Sequence, residues 1–502
     1  MTKRLSKSKL IAFRQCPKRM WLEVFRPDLR IDDSNAQGRF EIGHQVGALA
    51  QTQYPDGVLI APDNNLTQAL KDTTDELARS PRRVLFEATF QAADILVRAD
   101  LLIPIKKGWH MVEVKSSTSV KDYHLEDAAI QTWVAKQAGL VVSNTSLQVI
   151  DSSWTYPGGN NYSGLLQVEA LDELIGPMQS EVPKWIAAAQ KVLGSAEPTI
   201  KMGSQCNSPF ACGFQEYCQS LTKPVKFPIS WLPNLHHTKR AKFEAAGFSD
   251  LRHIDVADLS EKQQRVWQAT VHDEVYFEPL SKSEVKLFEG TRFYLDFETI
   301  NFPVPIWAGT RPYQQVPFQW SCHIEDANGV FSHKMFLDLT GDDPSRSFAE
   351  SLLKTLGRSG PIVVYNQAFE KRIIKELADR FDDLAPKLTK LLDRVVDLLP
   401  LANLHFYAPS MQGSWSIKSV LPAINPALSY ASLVDVADGG AAQDAYSEAI
   451  SADTHPTRKA QLKAALEAYC ARDTEAMIVV LHYLLSGTVL SRLFVSSSCK
   501  AS

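Results

Sequence analysis

Met111-Val-Glu-Val-Lys-Ser-Ser117 is the stretch that most constrains what this chain can fold into. Its alternation predicts a β-strand with Glu113 and Lys115 on one face and Val112 and Val114 on the other. The valines pin the strand into a core and hold an acid beside an amine. That pair suits metal-dependent cleavage of a phosphodiester: the carboxylate holds a divalent cation, and the ammonium steadies the attacking water or the developing negative charge. Asp100 lies upstream in the strand-like run Ile95-Leu-Val-Arg-Ala-Asp-Leu-Leu-Ile103, which can pair with the first strand and bring a second carboxylate to the same place.

With 502 residues and 45% hydrophobic content, the chain has material for about two to four domains with real cores. A net charge of −4 argues against a protein coated in positive charge, yet not against a nuclease, whose acids are offset by bound metal. The N-terminal residues 1–30 are locally basic (Lys3, Arg4, Lys7, Lys9, Arg14, Lys18, Arg19, Arg26 and Arg30 against Glu23 and Asp28), either as a phosphate-contacting arm or as a solvated helix. No secretory signal opens the sequence, and no apolar run approaches the ~20 residues that span a bilayer, so a soluble cytoplasmic protein is expected. Seven cysteines in a chain of this size are not a disulfide scaffold; ligands plus bystanders are expected in a reducing compartment.

In the first half, Ser6–Gln15 reads as a short amphipathic helix ending at Cys16-Pro17, and Gly38–Gln51 as a helix carrying His44 on a mostly apolar face. Val84–Phe90 and Ile95–Ile103 read as strands, Leu125–Ala138 as a helix with Gln131 near its middle, and Leu147–Ile150 as a further strand. Leu171–Leu193 reads as mostly helical, with Pro177 and Pro183 as break points. Cys206, Cys212 and Cys218 follow, with five residues in each gap. With Cys16 they make four thiols, enough for a cubane cluster or a zinc ion. The wide gaps favour iron–sulfur, because structural zinc prefers pairs two to four residues apart.

Cys16-Pro17, the His helix, Asp100, the Glu113-Val-Lys115 strand, the Gln131 helix and the cysteine trio together resemble the RecB-type PD-(D/E)XK nucleases with an iron–sulfur cluster, a group that includes CRISPR-associated and AddB-like members. The resemblance covers about residues 1–220, within an expected first domain of 1–225. It implies His44, Asp100 and Glu113 as metal ligands, Lys115 as catalytic lysine, Gln131 as the glutamine of the following helix, and Cys16, Cys206, Cys212 and Cys218 as holders of a [4Fe-4S] cluster, with zinc as the alternative. Ala135 stands where the family carries a tyrosine, and the trio lacks the family's short gap.

Residues 226–288, punctuated by Pro228 and Pro233, read as a short helical linker. Beyond it, Arg292-Phe-Tyr-Leu-Asp-Phe-Glu-Thr-Ile300 predicts a strand with Asp296 and Glu298 on one face and Phe293, Leu295 and Phe297 on the other. An antiparallel meander (Phe318–Ile324, Val330–Phe336), a helix (Ser347–Leu356), a buried strand (Pro361–Tyr365) and a helix bearing Glu370 follow. His455–Leu485 reads as one long helix carrying Tyr469 and Asp473 one turn apart. These acids, in this order, resemble the DEDD exonucleases of the ribonuclease H-like fold over residues 289–490. The resemblance implies Asp296, Glu298, Glu370 and Asp473 as ligands of two Mg²⁺ or Mn²⁺ ions and Tyr469 as the residue orienting the nucleophilic water. Glu370 stands where the family has aspartate; Asp397 is a reserve ligand, and Lys418 a candidate phosphate contact. Cys322, Cys470 and Cys499 fit neither constellation, and 491–502 reads as a tail. The whole order resembles a bacterial family named only as a domain of unknown function.

The expected fold is thus α/β in two domains, a restriction-endonuclease-like core and a ribonuclease H-like mixed sheet. The expected function is a metal-dependent DNA nuclease, an exonuclease on single-stranded or frayed ends, serving repair, recombination or defence. The alternative is a nucleic-acid clamp in which one nuclease domain is inactive.

Overall fold

In a computed structural model, which describes residues 5–31, 36–60, 65–428, 430 and 436–490, the chain is a mixed α/β protein. It divides into two compact units, Met1–Pro224 with Phe302–Tyr313, and Val225–Asn301 with Gln314–Ser502. The segment read as a linker therefore clusters with the second unit. The tail and Cys499 lie outside the described residues.

The first unit is built on seven strands: β1 (Leu5–Ser6), β2 (Val58–Leu59), β3 (Leu85–Ala92), β4 (Ile95–Pro104), β5 (Trp109–Val114), β6 (Val142–Ile150) and β7 (Leu166–Ala170). Their order is β2-β3-β4-β5-β6-β7, with β1 parallel beside β4. β3, β4 and β5 form an antiparallel run, whereas β5 and β6 are parallel and joined through the helix Asp122–Gln137, since a parallel pair needs a crossover. The sheet is covered on both faces. Trp109, Met111 and Leu147 pack with the helices Lys7–Gln15, Asp122–Gln137 and Val182–Leu193, while Leu101, Val112 and Ile150 pack with Val46 and Ala50 of the helix Ala36–Thr52. Each fully buried Leu or Met contributes about 1.5–3 kcal/mol. The alternation of β5 thus turns Glu113 toward the Asp122–Gln137 helix, as its sequence demands. The run 171–193 is divided into Asp172–Ile175, a tight turn Pro177–Ser180 and Val182–Leu193, because each proline opens a new turn.

In the second unit, β8 (Tyr276–Phe277) is followed by β9 (Arg292–Asn301), β10 (Gln315–Glu325), β11 (Phe331–Leu337), β12 (Ile362–Val364), β13 (Val395–Asp397) and β14 (Phe406–Tyr407). Five of them form a mixed sheet of order β11-β10-β9-β12-β13, antiparallel on the β11 side and parallel on the β13 side; β8 and β14 pair separately. One face of β9 and β10, carrying Phe293, Leu295, Phe297, Trp320 and Cys322, packs into an apolar core with Phe348, Leu352, Ile373, Ile374 and Leu388. The opposite face meets the unbroken helix Pro456–Ser486. Residues 229–259 add a small core of Ile229, Leu232, Phe243, Leu251, Ile254 and Leu259. Gly413, at φ 80°, lies so close to this segment that an added Cβ would sit 1.9 Å from the Trp231 carbonyl oxygen. That approach admits only glycine. Among the described residues, no helix is long and apolar enough to cross a membrane.

Candidate functional site

In the first unit, the register that pairs Leu101 with Val112 brings Asp100 and Glu113 to the next, adjacent positions of β4 and β5. The Asp100 carboxylate accepts the Val114 N–H at 2.7 Å. Burial, and after it the neighbouring Glu113 charge, push Asp100 up to about 8. Glu113 is 3% exposed and fully engaged: Oε1 accepts from Lys115 Nζ at 2.6 Å and Lys7 Nζ at 2.8 Å, and Oε2 accepts from Gln131 Nε2 at 2.5 Å. Asp127 closes the network, 2.8 Å from Lys115 and 3.0 Å from Lys7. Burial opposes charge on all three, but the mutual attraction outweighs it, raising both lysines and lowering Asp127.

Asp100, Glu113, Lys115 and Gln131 are therefore brought together. Glu87, opposite Asp100, feels the charges of Glu113, Lys7 and His44. His44 itself is exposed on its helix. Three neighbours were missed by sequence reasoning: Lys7, Asp127 and Glu87. Lys7 was legible only as one charge of a basic arm. Asp127 lies four residues before Gln131, so the two share a helix face. Glu87 sits in β3 at φ 57°, between the paired positions Phe86–Leu101 and Ala88–Ala99 and thus opposite Asp100. A left-handed glutamate inside a strand is uncommon and clusters at functional sites.

The four cysteines line one pocket with Leu22, Met202 and Phe214. Cys16 ends the helix Lys7–Gln15 and caps Pro17–Phe25, where proline at the first position starts the new helix. Gln15 Nε2 donates to the carbonyls of Gln205 and Phe210, both at 2.7 Å, tying the first helix to the cysteine loop. Among the described residues, no three of these sulfurs lie within 4.8 Å of one another.

In the second unit, Asp296 and Glu298 project from β9 toward the long helix, which brings Tyr469, Cys470 and Asp473 to them. Asp296, Glu298 and Cys470 offer ligand atoms that all lie within 4.8 Å of one another. Asp473 accepts a hydrogen bond from the Tyr430 hydroxyl. Glu370, in the first turn of the helix Ala368–Arg380, is 3% exposed, and its Oε2 has no hydrogen-bond partner. Burial pushes Glu370 up to about 8 and Asp473 up to about 6. Burial, reinforced by the neighbouring acids, holds Asp296 and Glu298 well above the carboxylate range. An uncompensated cluster of buried acids of this kind suits a divalent cation.

Buried polar contacts fix the long helix against the sheet. Gln319 Nε2 donates to the Leu466 carbonyl at 2.9 Å, while Thr474 Oγ1 is 2.9 Å from Ser321 Oγ and 2.8 Å from His323 Nδ1. Lys418 Nζ donates to the Ala437 carbonyl at 2.8 Å and stands 5.1 Å from the Tyr469 ring centre, and its charge bears on Glu298 and Asp473. Asp397 serves as a brace: its oxygens accept the N–H groups of Asn366, Gln367 and Leu399, pinning the start of the helix that carries Glu370. Cys470, set aside as a bystander on sequence, belongs to the acid cluster instead. A bare thiol inside a helix motif gave no signal until β9 was packed against it.

Residues 293–416 match the family described as "Domain of unknown function (DUF2779)". Asp296, Glu298 and Glu370 fall within that match; Tyr469 and Asp473 lie beyond it. The chain is similar to "Uncharacterized protein MG366 homolog" of Mycoplasma pneumoniae, 27% identical over 219 residues, or 40% of this chain and 33% of the relative. It is also similar to "Uncharacterized protein UU173" of Ureaplasma parvum, 21% identical over 176 residues, or 31% of this chain and 26% of the relative.

Proposed function

We propose that the chain is a metal-dependent DNA nuclease with two phosphodiester-cleaving sites, acting on single-stranded or frayed ends. The observation that carries this reading is the convergence, in the second unit, of Asp296 and Glu298 with Glu370 and Asp473, each of which acts on both, with one Glu370 oxygen left unpartnered. The mixed five-stranded sheet with helices on both faces supports a ribonuclease H-like arrangement, and the β3–β6 core with its crossover helix supports a PD-(D/E)XK arrangement. Asp296, Glu298, Glu370 and Asp473 would hold Mg²⁺ or Mn²⁺, which supplies an activated water and stabilises the leaving oxygen. Tyr469, one turn before Asp473, would orient a water beside these acids, and Lys418, whose charge bears on Glu298 and Asp473, would offer a phosphate a positive partner.

In the first unit, Asp100 and Glu113 would hold a cation while Lys115 meets the developing charge, with Asp127 and Gln131 fixing Lys115 and Glu113. Cys16, Cys206, Cys212 and Cys218 would hold an iron–sulfur cluster whose place is structural, joining the first two helices to the cysteine loop.

A second reading, in which the first unit is a nucleic-acid clamp, is favoured by one observation: both Glu113 oxygens are already occupied by Lys7, Lys115 and Gln131. The two readings part in one experiment. End-labelled single strands are incubated with Mg²⁺ or Mn²⁺ and wild type, Lys115→Ala or Asp296→Ala. Two active sites predict that each variant loses part of the cutting; a clamp predicts that Asp296→Ala loses all of it. Intact substrate with wild type under every condition refutes both.

A further inference from the structure

We propose that the Cys470 thiol is an inner ligand of the cation site in the second unit, so that the site takes a thiophilic divalent ion, for which Cd²⁺ is the probe, in preference to Mg²⁺. This rests on the reading of Asp296 and Glu298 as cation ligands and adds to it a sulfur donor.

Cys470 is fully buried, yet its sulfur faces acids: Sγ lies 3.7 Å from Asp296 Oδ2 and 3.9 Å from the Asp296 carbonyl. An ion with a metal–sulfur bond of ~2.3 Å and metal–oxygen bonds of ~2.1 Å holds sulfur and oxygen about 3.6 Å apart at a tetrahedral angle. The observed 3.7 Å is close to that value. Cys470 precedes Asp473 by three positions on the same helix, so thiol and carboxylate are neighbours on one face.

The unpartnered oxygen of Glu370, a side chain 3% exposed, is a second, independent sign of a missing ligand partner, and Glu370 stands close enough to act electrostatically on both Asp296 and Glu298. Cys322 provides a contrast within the same sheet. It is as fully buried, but it lies among Trp320, Phe348 and Leu352 in the apolar core, with a carbonyl as its hydrogen-bond partner. Burial alone therefore does not place a thiol among carboxylates. When the ion binds, the S–H bond is exchanged for a sulfur–metal bond and one proton leaves to solvent. Soft thiolate selects against Mg²⁺, which prefers oxygen.

The test is calorimetric titration of chelator-treated full-length protein with Cd²⁺, Mn²⁺ and Mg²⁺, using wild type, Cys470→Ala, Cys470→Ser and Asp296→Asn. The cysteines of the first unit are present in every variant, so their share cancels in the differences. Cys470→Ala and Cys470→Ser are expected to lose at least tenfold in Cd²⁺ affinity while Mg²⁺ affinity stays within about twofold. Asp296→Asn is expected to lose the site for all three ions. If Asp296→Asn loses binding but the Cys470 variants keep the wild-type preference, the sulfur ligand is refuted and the carboxylate site stands. If Asp296→Asn binds like wild type, the cation site itself fails and the proposal with it.

Discussion

Lys7 and Glu113, 106 positions apart, meet in an ion pair of 2.8 Å on a carboxylate that is 3% exposed. The N-terminal helix is thereby stapled to the centre of the first-unit sheet by charge as well as by Leu10 and Ala12. Truncating Lys7 leaves Glu113 and Asp127 with Lys115 alone. Breaking a buried pair by removing one partner costs about 3–5 kcal/mol, and the partial exposure of Lys7 reduces this to about 2–4. Urea unfolding of Lys7→Met without added metal is expected to give that loss. Added Mn²⁺ is expected to recover part of it, because a cation can replace the missing charge.

In the proposed nuclease site, Asp127, 2.8 Å from Lys115, would hold that lysine in position. Asp127→Asn is expected to lower first-unit cutting by about 10²-fold, the scale of losing one oriented electrostatic contact. Lys115→Ala should cost more, and the double variant about the same as Lys115→Ala alone, since the two act as one unit. Rates measured in an Asp296→Ala background isolate this site. Additive losses would remove Asp127 from the lysine's support.

Glu370 separates stability from function. Its carboxyl is pushed up to about 8 by burial, so at neutral pH without metal it is largely neutral, and Glu370→Gln replaces like with like. Thermal stability of the metal-free variant is expected to change by less than about 1 kcal/mol. Cutting by the second unit, measured in a Lys115→Ala background, is expected to fall at least about 10²-fold.

Glu325 sets a pH limit on the second unit. It is 4% exposed, accepts from the Tyr294 hydroxyl at 2.6 Å and from Arg292 at 2.9 Å, and lies 3.1 Å from His482 Nε2. Burial works against its charge, but these partners prevail and lower it to about 2. A carboxylate held below its unfolded value gives stability that is present above about pH 4.5 and lost as pH falls through 2. The contribution is about 3 kcal/mol. Glu325→Gln is expected to flatten the stability profile between these limits and to lower stability at neutral pH.

The iron–sulfur reading carries its own outcome. Cys16→Ala is expected to remove the visible charge-transfer absorbance of anaerobically purified protein and to lower the melting temperature, because Cys16 joins two helices to the cysteine loop. Protein that is colourless and carries stoichiometric zinc would replace the cluster with a zinc site.

The longer strands β3, β4, β5, β9, β10 and β11, the end of β6, and the apolar run of β12 were legible in the sequence, whereas β1, β2, β7 and β13 were not. In β9, Phe293, Leu295 and Phe297 share one face and Asp296 and Glu298 the other, and a shift of one residue would turn Asp296 into the apolar core. The same alternation set Asp296 and Glu298 together, and helical spacing set Tyr469 one turn before Asp473. Spacing cannot say which distant segments meet. Lys7 beside Glu113 follows from packing the first helix on the sheet, and Cys470 beside Asp296 from packing the long helix on β9. The role of Asp397 was equally hidden, because a carboxylate that braces backbone N–H groups looks, in sequence, like one that binds metal. Local periodicity fixes the direction a side chain takes from its own strand or helix, and this the sequence determined. Which groups share a pocket depends on long-range burial of apolar faces, which the tertiary structure decided.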